Sequence, residues 1–177
     1  MESTYIPLIA VDIRVAMALK ELRMCGVTEF YVTLVAEFSG MTLTQVSYGL
    51  KALEGLGLVV SDGYFPGTVR KKQQLTERGE AFLELLEEDS LAVTRLNDML
   101  VKTCKLFKAK NTSTLTFAVI CGHLGIRQRA RTVVSVFARN NLAERHKRQN
   151  GHIDVVLTPV GYTFVKGVVA LDEFFSN

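Results

Sequence analysis

The chain has 177 residues, of which 48% are hydrophobic, and this is enough to form packed cores, so a disordered chain is not expected. No uninterrupted apolar stretch reaches the roughly 18 residues of a membrane span. Residues 1–10 lack the basic start and apolar run of a secretory signal, so the sequence predicts a cytoplasmic protein without membrane contact.

The net charge of +3 conceals two halves of opposite sign. Residues 1–89 hold 8 Lys and Arg against 13 Asp and Glu, a net charge of −5. Residues 90–177 hold 13 against 5, a net charge of +8. Because a basic surface attracts polyphosphates and an acidic one does not, the two halves are expected to meet different partners or to contribute unequally to one.

Cysteine and histidine usage predicts neither a metal site nor a catalytic centre. The cysteines at 25, 104 and 121 are odd in number, widely separated and set among apolar residues, which is typical of buried thiols in a reducing compartment. The sequence has no Walker-type phosphate loop and no HExxH motif, and its three histidines lack a nucleophile partner. We therefore expect no cofactor, no metal and no enzymatic activity.

An internal repeat organises the chain. Residues 75–82 and 157–164 share the pattern LTxxGxxF, 82 residues apart. Upstream of each copy, apolar residues with helical spacing also correspond: Leu50 with Val134, Leu53 with Phe137, and Leu58 with Leu142. Gly57 then corresponds to Asn141, and both residue types suit the left-handed conformation that ends a helix. The repeat predicts two similar domains, residues 1–89 and 90–177.

In the first half, apolar spacing predicts helices over residues 8–22 and 29–38, and a third helix that begins at Leu43. Gly26 is expected to stop the first helix, while Thr28 and Thr42 are expected to cap the other two. The third helix is expected to turn Leu43, Val46, Leu50 and Leu53 toward the core. A β-hairpin follows over residues 58–75, around the turn-prone residues 61–67.

The second half repeats this order. Helices are predicted over residues 91–108 and 114–123 and from Ile126, followed by a hairpin over residues 142–157 and a closing helix over residues 159–175. The Asn150-Gly151 pair favours a tight hairpin turn. The predicted fold is α+β, mainly α, with three helices, a β-hairpin wing and a following helix in each unit.

This order, with LTxxG opening the last helix, resembles the winged helix-turn-helix superfamily and most closely the MarR-type transcription regulators, over almost the whole chain twice. The resemblance implies that the third helix of each unit enters the DNA major groove while the wing contacts the neighbouring backbone or minor groove. In the second unit these places hold Arg127, Gln128, Arg129, Arg131, Thr132, Ser135, Arg139, Arg145, His146, Lys147, Arg148, Gln149, Asn150 and His152. In the first unit they hold Thr44, Gln45, Ser47, Tyr48, Lys51, Arg70, Lys71 and Lys72.

The second set indicates DNA binding more strongly than the first. Residues 127–152 hold seven Lys and Arg against one acid, and Arg127, Arg129 and Arg131 stand in the first turns of a helix, where positive charge opposes the helix dipole. Lys and Arg neutralise phosphates, and Arg, Gln and Asn can read base edges. We expect a sequence-specific transcription regulator of bacterial or phage-like character that binds double-stranded DNA in the nucleoid, mainly through its second unit.

Other interpretations stay open at this point. The first unit contacts DNA, faces a protein partner with its acidic surface, or has a purely structural role. Tandem winged helices also occur in protein-interaction modules of chromosome-condensation complexes and in plasmid or phage replication initiators. The last helix is rich in apolar residues, which leaves a homodimer through that helix open as well.

Overall fold

A computed structural model describes Leu8, residues 10–86 and residues 97–177. These residues belong to two compact units, the first ending before residue 93 and the second continuing to the C-terminus. The predicted domain boundary between residues 89 and 90 lies outside the described residues, as does the predicted helix start at residue 91.

Both units are mainly helical and follow the same order of elements. The first unit contains α1 (Ala10–Met24), β1 (Glu29–Phe30), α2 (Val32–Ser39), α3 (Leu43–Gly55), β2 (Val59–Tyr64), β3 (Lys71–Leu75) and α4 (Glu77–Leu85). The second contains α5 (Asp98–Ala109), β4 (Thr114–Thr116), α6 (Phe117–Leu124), α7 (Arg127–Arg139), β5 (Ala143–Lys147), β6 (Ile153–Leu157) and α8 (Pro159–Ser176). The predicted α+β, mainly helical character is confirmed.

Each unit has a three-stranded antiparallel sheet, with strand orders β1-β3-β2 and β4-β6-β5. The third strand corrects the prediction, because residues 29–30 and 114–116 were expected to begin helices. Glu29 pairs instead with Gln74, and Leu115 pairs with Val155, so each segment fills an open edge of its hairpin. Thr116 caps α6 by accepting from the Val119 N–H, whereas the N-cap of α2 is Tyr31 and not the predicted Thr28.

Other helix ends follow the sequence signals. Thr42 and Gln45 form the capping box that opens α3, in which each side chain accepts a hydrogen bond from the other residue's backbone N–H. Gly57 and Asn141, the two residues that correspond in the repeat, both adopt left-handed backbone with φ of 71° and 55°. The same stop therefore follows the third helix of each unit.

The core of the second unit is built around three aromatic rings. Phe137 of α7 packs between Phe107 of α5 and Phe164 of α8, with ring centroids 6.2 Å and 6.0 Å away. All three rings are buried. The helix that carries the basic residues is thereby packed on its apolar side against α5 and α8.

The core of the first unit departs from the prediction at one position. Val46, Leu50 and Leu53 of α3 are buried as expected, but Leu43 is 56% exposed. Leu43 is the first residue of α3, directly after the Thr42 cap, and it lies beside Val32 and Tyr48 in an open groove. It is therefore a surface residue of the first unit.

The thiols also differ from expectation. Cys104 is buried and burial raises the pKa of its thiol, but Cys25 is exposed because it stands in the turn after α1.

In the second hairpin the Gly151 N–H donates to the Arg148 carbonyl, so Gln149 and Asn150 occupy the centre of the turn. Of these turn residues, only Gly151 has a positive φ. The tight turn predicted at this tip is therefore present, with Gly151 at its last position.

The closing helix α8 buries most of the apolar surface that suggested a homodimer. Phe164, Val165, Val168, Val169 and Leu171 are all buried within the unit. The Asp172 carboxylate forms an ion pair of 2.8 Å with Lys105 of α5. Tyr162 stays exposed and Phe174 and Phe175 are half-buried, so only part of this apolar surface is left over and the homodimer stays a prediction.

Candidate nucleic-acid interface

Helix α7 separates its apolar and basic residues onto opposite faces. Ala130, Val133, Val134 and Phe137 are buried, at the spacing of one helix face. The residues on the other side that were predicted to bind DNA are exposed: Arg127, Gln128, Arg129, Arg131, Thr132 and Arg139. Ser135 is half-buried, and the Thr132 hydroxyl donates to the Gln128 carbonyl within the helix. The basic face is therefore held in place by the core behind it.

The second hairpin adds cations from another element. Arg145, His146 and Lys147 of β5 are all exposed. The His146 ring lies 2.9 Å from the carboxylate of Glu144. Within residues 10–86 and 97–177, Arg145 and Lys147 have no ion-pair partner, whereas His146 has an acidic neighbour.

Arg148 differs from these residues, because it has a strong internal partner. Its Nε donates a 2.6 Å hydrogen bond to Asp154 across the hairpin, and this contact raises the pKa of the guanidinium. Asp154 is only 14% exposed, and its second carboxylate oxygen is buried without a hydrogen-bond partner among the described residues. Arg148 is thus held against the hairpin and is less available to a ligand than the arginines of α7.

Three arginines from α7 and the hairpin meet at one groove. The groove has a volume of about 330 Å³, and Arg127 and Arg131 of α7 and Arg145 of β5 line it. Its apolar floor is formed by Phe117, Val134 and Ile153, with Ser135 beside them. We call this concavity the arginine groove.

The arginine groove concentrates positive charge without compensation. In the part of the chain that the structure describes, the guanidinium groups of Arg127, Arg131 and Arg145 form no ion pair or hydrogen bond. Arg127 and Arg131 are like charges four residues apart, and both stand near the positive end of the α7 dipole. Both effects disfavour the unliganded arrangement, so a bound anion would relieve them.

The predicted residues of the first unit form a face of different character. Thr44, Ser47, Tyr48 and Lys51 of α3 are exposed as predicted, and Lys51 supplies the only full charge among them. Gln45 is half-buried, and its amide oxygen is already engaged by the Thr42 backbone in the capping box. This face is largely neutral and includes the exposed Leu43 and the Tyr48 ring.

The first hairpin is basic in sequence, but its cations are paired. Arg70 lies over the Tyr31 ring, 4.7 Å from its centroid, and donates a hydrogen bond to the Tyr31 hydroxyl. Lys71 lies 3.7 Å from Glu54. Lys72 lies 3.3 Å from both Glu29 and Asp62, and hydrogen bonds to these carboxylates raise its pKa. Each cation of the first hairpin therefore has a partner within the unit, which is two carboxylates for Lys72, one carboxylate for Lys71 and a neutral ring for Arg70.

Sequence reasoning missed three contributors to these sites. Phe117 and Ile153 form the groove floor, and Asp154 restrains Arg148. Asp154 could have been found from the hairpin itself. It is an acidic residue directly opposite His146 in the hairpin register, on a strand that faces several basic residues. Phe117 carries no such signal, because its place depends on how α6 meets the hairpin.

Other kinds of site find no support in the part of the chain covered by the structure. Residues 10–86 and 97–177 contain no cluster of three or more His, Cys, Asp or Glu able to hold a metal ion. Among the helices described above, none combines the length and apolar character needed to cross a membrane. No protein-family model and no curated protein sequence matches the chain. A function must therefore be argued from the residues described above.

Proposed function

We propose that this chain is a sequence-specific DNA-binding transcription regulator built from two winged helix-turn-helix units. The repeated order of elements, with a hairpin after the third helix, supports this reading of the fold. In this proposal α7 lies in the major groove and the β5–β6 hairpin is the wing. DNA binding would place the protein in the nucleoid.

One observation carries the proposal: among the described residues, Arg127, Arg131 and Arg145 of the second unit have no ion-pair or hydrogen-bond partner, whereas the hairpin cations of the first unit have partners. Arg127, Arg131 and Arg145 converge on the arginine groove, and Arg129 and Arg139 extend the exposed charge along α7. A cation that already pairs with a carboxylate gains less from a phosphate than a free one. The second unit is therefore the principal DNA-binding surface in this proposal.

The apolar floor of the arginine groove also fits a nucleic acid better than a free inorganic anion. Guanidinium groups bind phosphates with two parallel hydrogen bonds. Phe117, Val134 and Ile153 offer apolar contact to the sugar that links successive phosphates. The exposed Gln128 and Arg129 at the start of α7 have the donor geometry to read base edges.

The test is a fluorescence anisotropy titration of duplex DNA at several salt concentrations. The triple variant Arg127→Ala, Arg131→Ala, Arg145→Ala is expected to lose affinity and to reduce the log–log salt slope by about 1 for each lost phosphate contact. A matched control, Lys102→Ala, Lys108→Ala, Lys110→Ala, removes the same charge around α5 and should keep most of the affinity. Equal losses in both variants would leave only a nonspecific charge effect, and unchanged binding in the first would refute the assignment.

Sequence specificity needs a separate measurement. Recovery and sequencing of DNA bound from a random pool at near-physiological salt should yield an enriched motif. Gln128→Ala with Arg129→Ala should then relax the preference at the bases that these residues contact, while retaining nonspecific binding. A bound pool without an enriched motif would show that the protein binds DNA without sequence preference.

A second candidate function, contact with a protein partner, is favoured for the first unit alone. Its α3 face carries the exposed Leu43 and Tyr48 beside an open groove of about 460 Å³. Changing Thr44, Ser47 and Lys51 to Ala together separates the two possibilities. Loss of DNA affinity would assign this face to DNA, whereas unchanged affinity would favour a protein-facing role.

A further inference from the structure

The wall of the arginine groove carries one hydroxyl group, on Ser135 of α7. Among the residues that line the groove, Ser135 is the only serine, threonine or tyrosine. Its side chain is half-buried and lies on the open concavity, so it stays accessible from the groove. Arg131 lies four residues before Ser135 and Arg127 eight residues before it, so all three share one face of the helix.

The Ser135 hydroxyl is not bonded to its own helix, unlike several other hydroxyl groups on helices of this unit. Serine and threonine within helices commonly donate to the carbonyl four residues earlier. Thr103, Thr132 and Ser176 do so, with distances of 2.8, 3.0 and 2.6 Å. Over residues 97–177, the Ser135 side chain forms no hydrogen bond. Its oxygen is therefore free to accept a substituent without breaking a helix contact.

The surroundings of Ser135 suit a doubly charged anion. Arg145 of β5 lines the groove together with Arg127 and Arg131, and no acidic residue lines it. A phosphate ester has three acceptor oxygens and a charge of about −1.5 to −2 near neutral pH. Guanidinium groups bind such oxygens with parallel, charge-assisted hydrogen bonds. A phosphate on Ser135 would therefore replace repulsion among three like charges by attraction to a common anion.

We propose that Ser135 is a regulatory phosphorylation site, whose phosphate is held by the three arginines and closes the groove to DNA. In the reaction the Ser135 oxygen forms a bond to the γ-phosphorus of a nucleoside triphosphate bound to a protein kinase. The bond between that phosphorus and the β,γ-bridging oxygen breaks, the nucleoside diphosphate leaves, and the hydroxyl proton passes to a base of the kinase. The effect on DNA rests on the proposed function, whereas the capture of the phosphate by the arginines does not.

The full chain with phosphoserine inserted at position 135 during translation tests both parts. Without DNA, the melting temperature should rise by at least about 2 °C, because the new ion pairs stabilise the second unit. With duplex DNA, anisotropy titration should show at least about tenfold weaker binding, because the arginines are neutralised and negative charge faces the DNA. Phosphoserine at position 47, where the natural Ser47 is exposed on α3 of the first unit, adds the same charge away from the arginines and should not raise the melting temperature.

Removing the arginines tests whether they cause the rise. In the Arg127→Ala, Arg131→Ala, Arg145→Ala variant, phosphoserine at position 135 should no longer raise the melting temperature. An unchanged or lower melting temperature in the natural background, a loss of helical circular dichroism, or a rise that persists without the arginines would overturn the proposal. A raised melting temperature with unchanged DNA affinity would confirm the capture of the phosphate, but it would refute both the regulatory role and the DNA site assigned to the groove.

Discussion

Gly161 lies so close to Leu142 that a β-carbon on Gly161 would fall 1.7 Å from the Leu142 carbonyl oxygen. The same relationship joins Gly79 and Leu58, at 1.9 Å. In both units the threonine of the LTxxG motif caps the following helix, and its backbone N–H donates to that same carbonyl. The motif therefore fixes the helix start against the beginning of the hairpin, and its glycine is required by the close approach.

Gly161→Ala should strongly destabilise the second unit. The obstacle is a backbone oxygen that also accepts a hydrogen bond from Thr158, so it cannot move aside cheaply. We expect a loss of about 3 kcal/mol, at the upper end of the range for overpacked sites. Thermal unfolding followed by far-ultraviolet circular dichroism measures the change.

Gly122→Ala is the matched control for this experiment. Gly122 lies within α6, and a β-carbon there would meet no atom within 4 Å. Alanine is the better helix former, so this change should raise stability by about 0.5–1 kcal/mol. Similar effects of the two substitutions would contradict the role assigned to the Leu142 contact.

The repeat and the helix spacing predicted most of this fold. Thr42, Gly57 and Asn141 act locally, through a cap or a left-handed backbone, and such signals are legible in a sequence. The two short strands β1 and β4 were missed for a physical reason. Each pairs with a strand about 40 residues further along the chain, and propensity within a segment cannot reveal such a pairing.

The sequence predicted the exposed arginines of the candidate site, but neither the apolar residues Phe117 and Ile153 nor the partners of each cation. Exposure of the arginines on α7 follows from the helical period. Whether a cation is free depends on neighbours distant in sequence, as with Arg70 against Tyr31 and Lys72 against Glu29. The positive residues of the first hairpin could therefore be seen in the sequence, but the partners that they have in the structure could not.

Asn141 offers a second test of the repeat. Its φ of 55° is strained for most side chains but tolerable for Asn and free for Gly. We expect Asn141→Ala to cost about 1 kcal/mol and Asn141→Gly to be nearly neutral. Gly57→Ala, at the corresponding place in the first unit, should be destabilising by a similar amount. Equal stability of the Ala and Gly variants at residue 141 would show that the conformation is not left-handed.

Thiol labelling should separate the three cysteines. Cys25 is exposed, Cys121 is half-buried and Cys104 is buried with a raised thiol pKa, so little Cys104 thiolate exists near neutral pH. We expect an aromatic disulfide reagent to label Cys25 rapidly and Cys104 only on unfolding. Cys25→Ser should remove the fast phase, and rapid labelling of Cys104 in the native protein would contradict its placement in the core.

The two hairpins should differ in their contribution to DNA binding. Arg145→Ala with Lys147→Ala and Lys71→Ala with Lys72→Ala each remove two cations. Among the described residues, carboxylates pair with Lys71 and Lys72 but not with Arg145 and Lys147, so the first double variant should lose more affinity and more salt dependence. Anisotropy titrations on one duplex compare them directly. A larger loss from the Lys71 and Lys72 changes would move the principal DNA contact to the first unit.

Asp154 is expected to limit the part that Arg148 plays in DNA binding. Its carboxylate accepts the Arg148 Nε hydrogen bond at 2.6 Å and adds negative charge to the hairpin. Asp154→Asn should release Arg148 and strengthen DNA binding at low salt, whereas Arg148→Ala in the natural background should have little effect.

The double variant Asp154→Asn, Arg148→Ala separates release of Arg148 from the simple loss of a negative charge. If release is the cause, Arg148→Ala should cost affinity only in the Asp154→Asn background, which gives a nonzero coupling in the double-mutant cycle. Additive effects would mean that Asp154 acts on DNA through its charge alone. Weaker binding by Asp154→Asn, with circular dichroism unchanged, would instead show that Arg148 binds DNA in the orientation that Asp154 imposes.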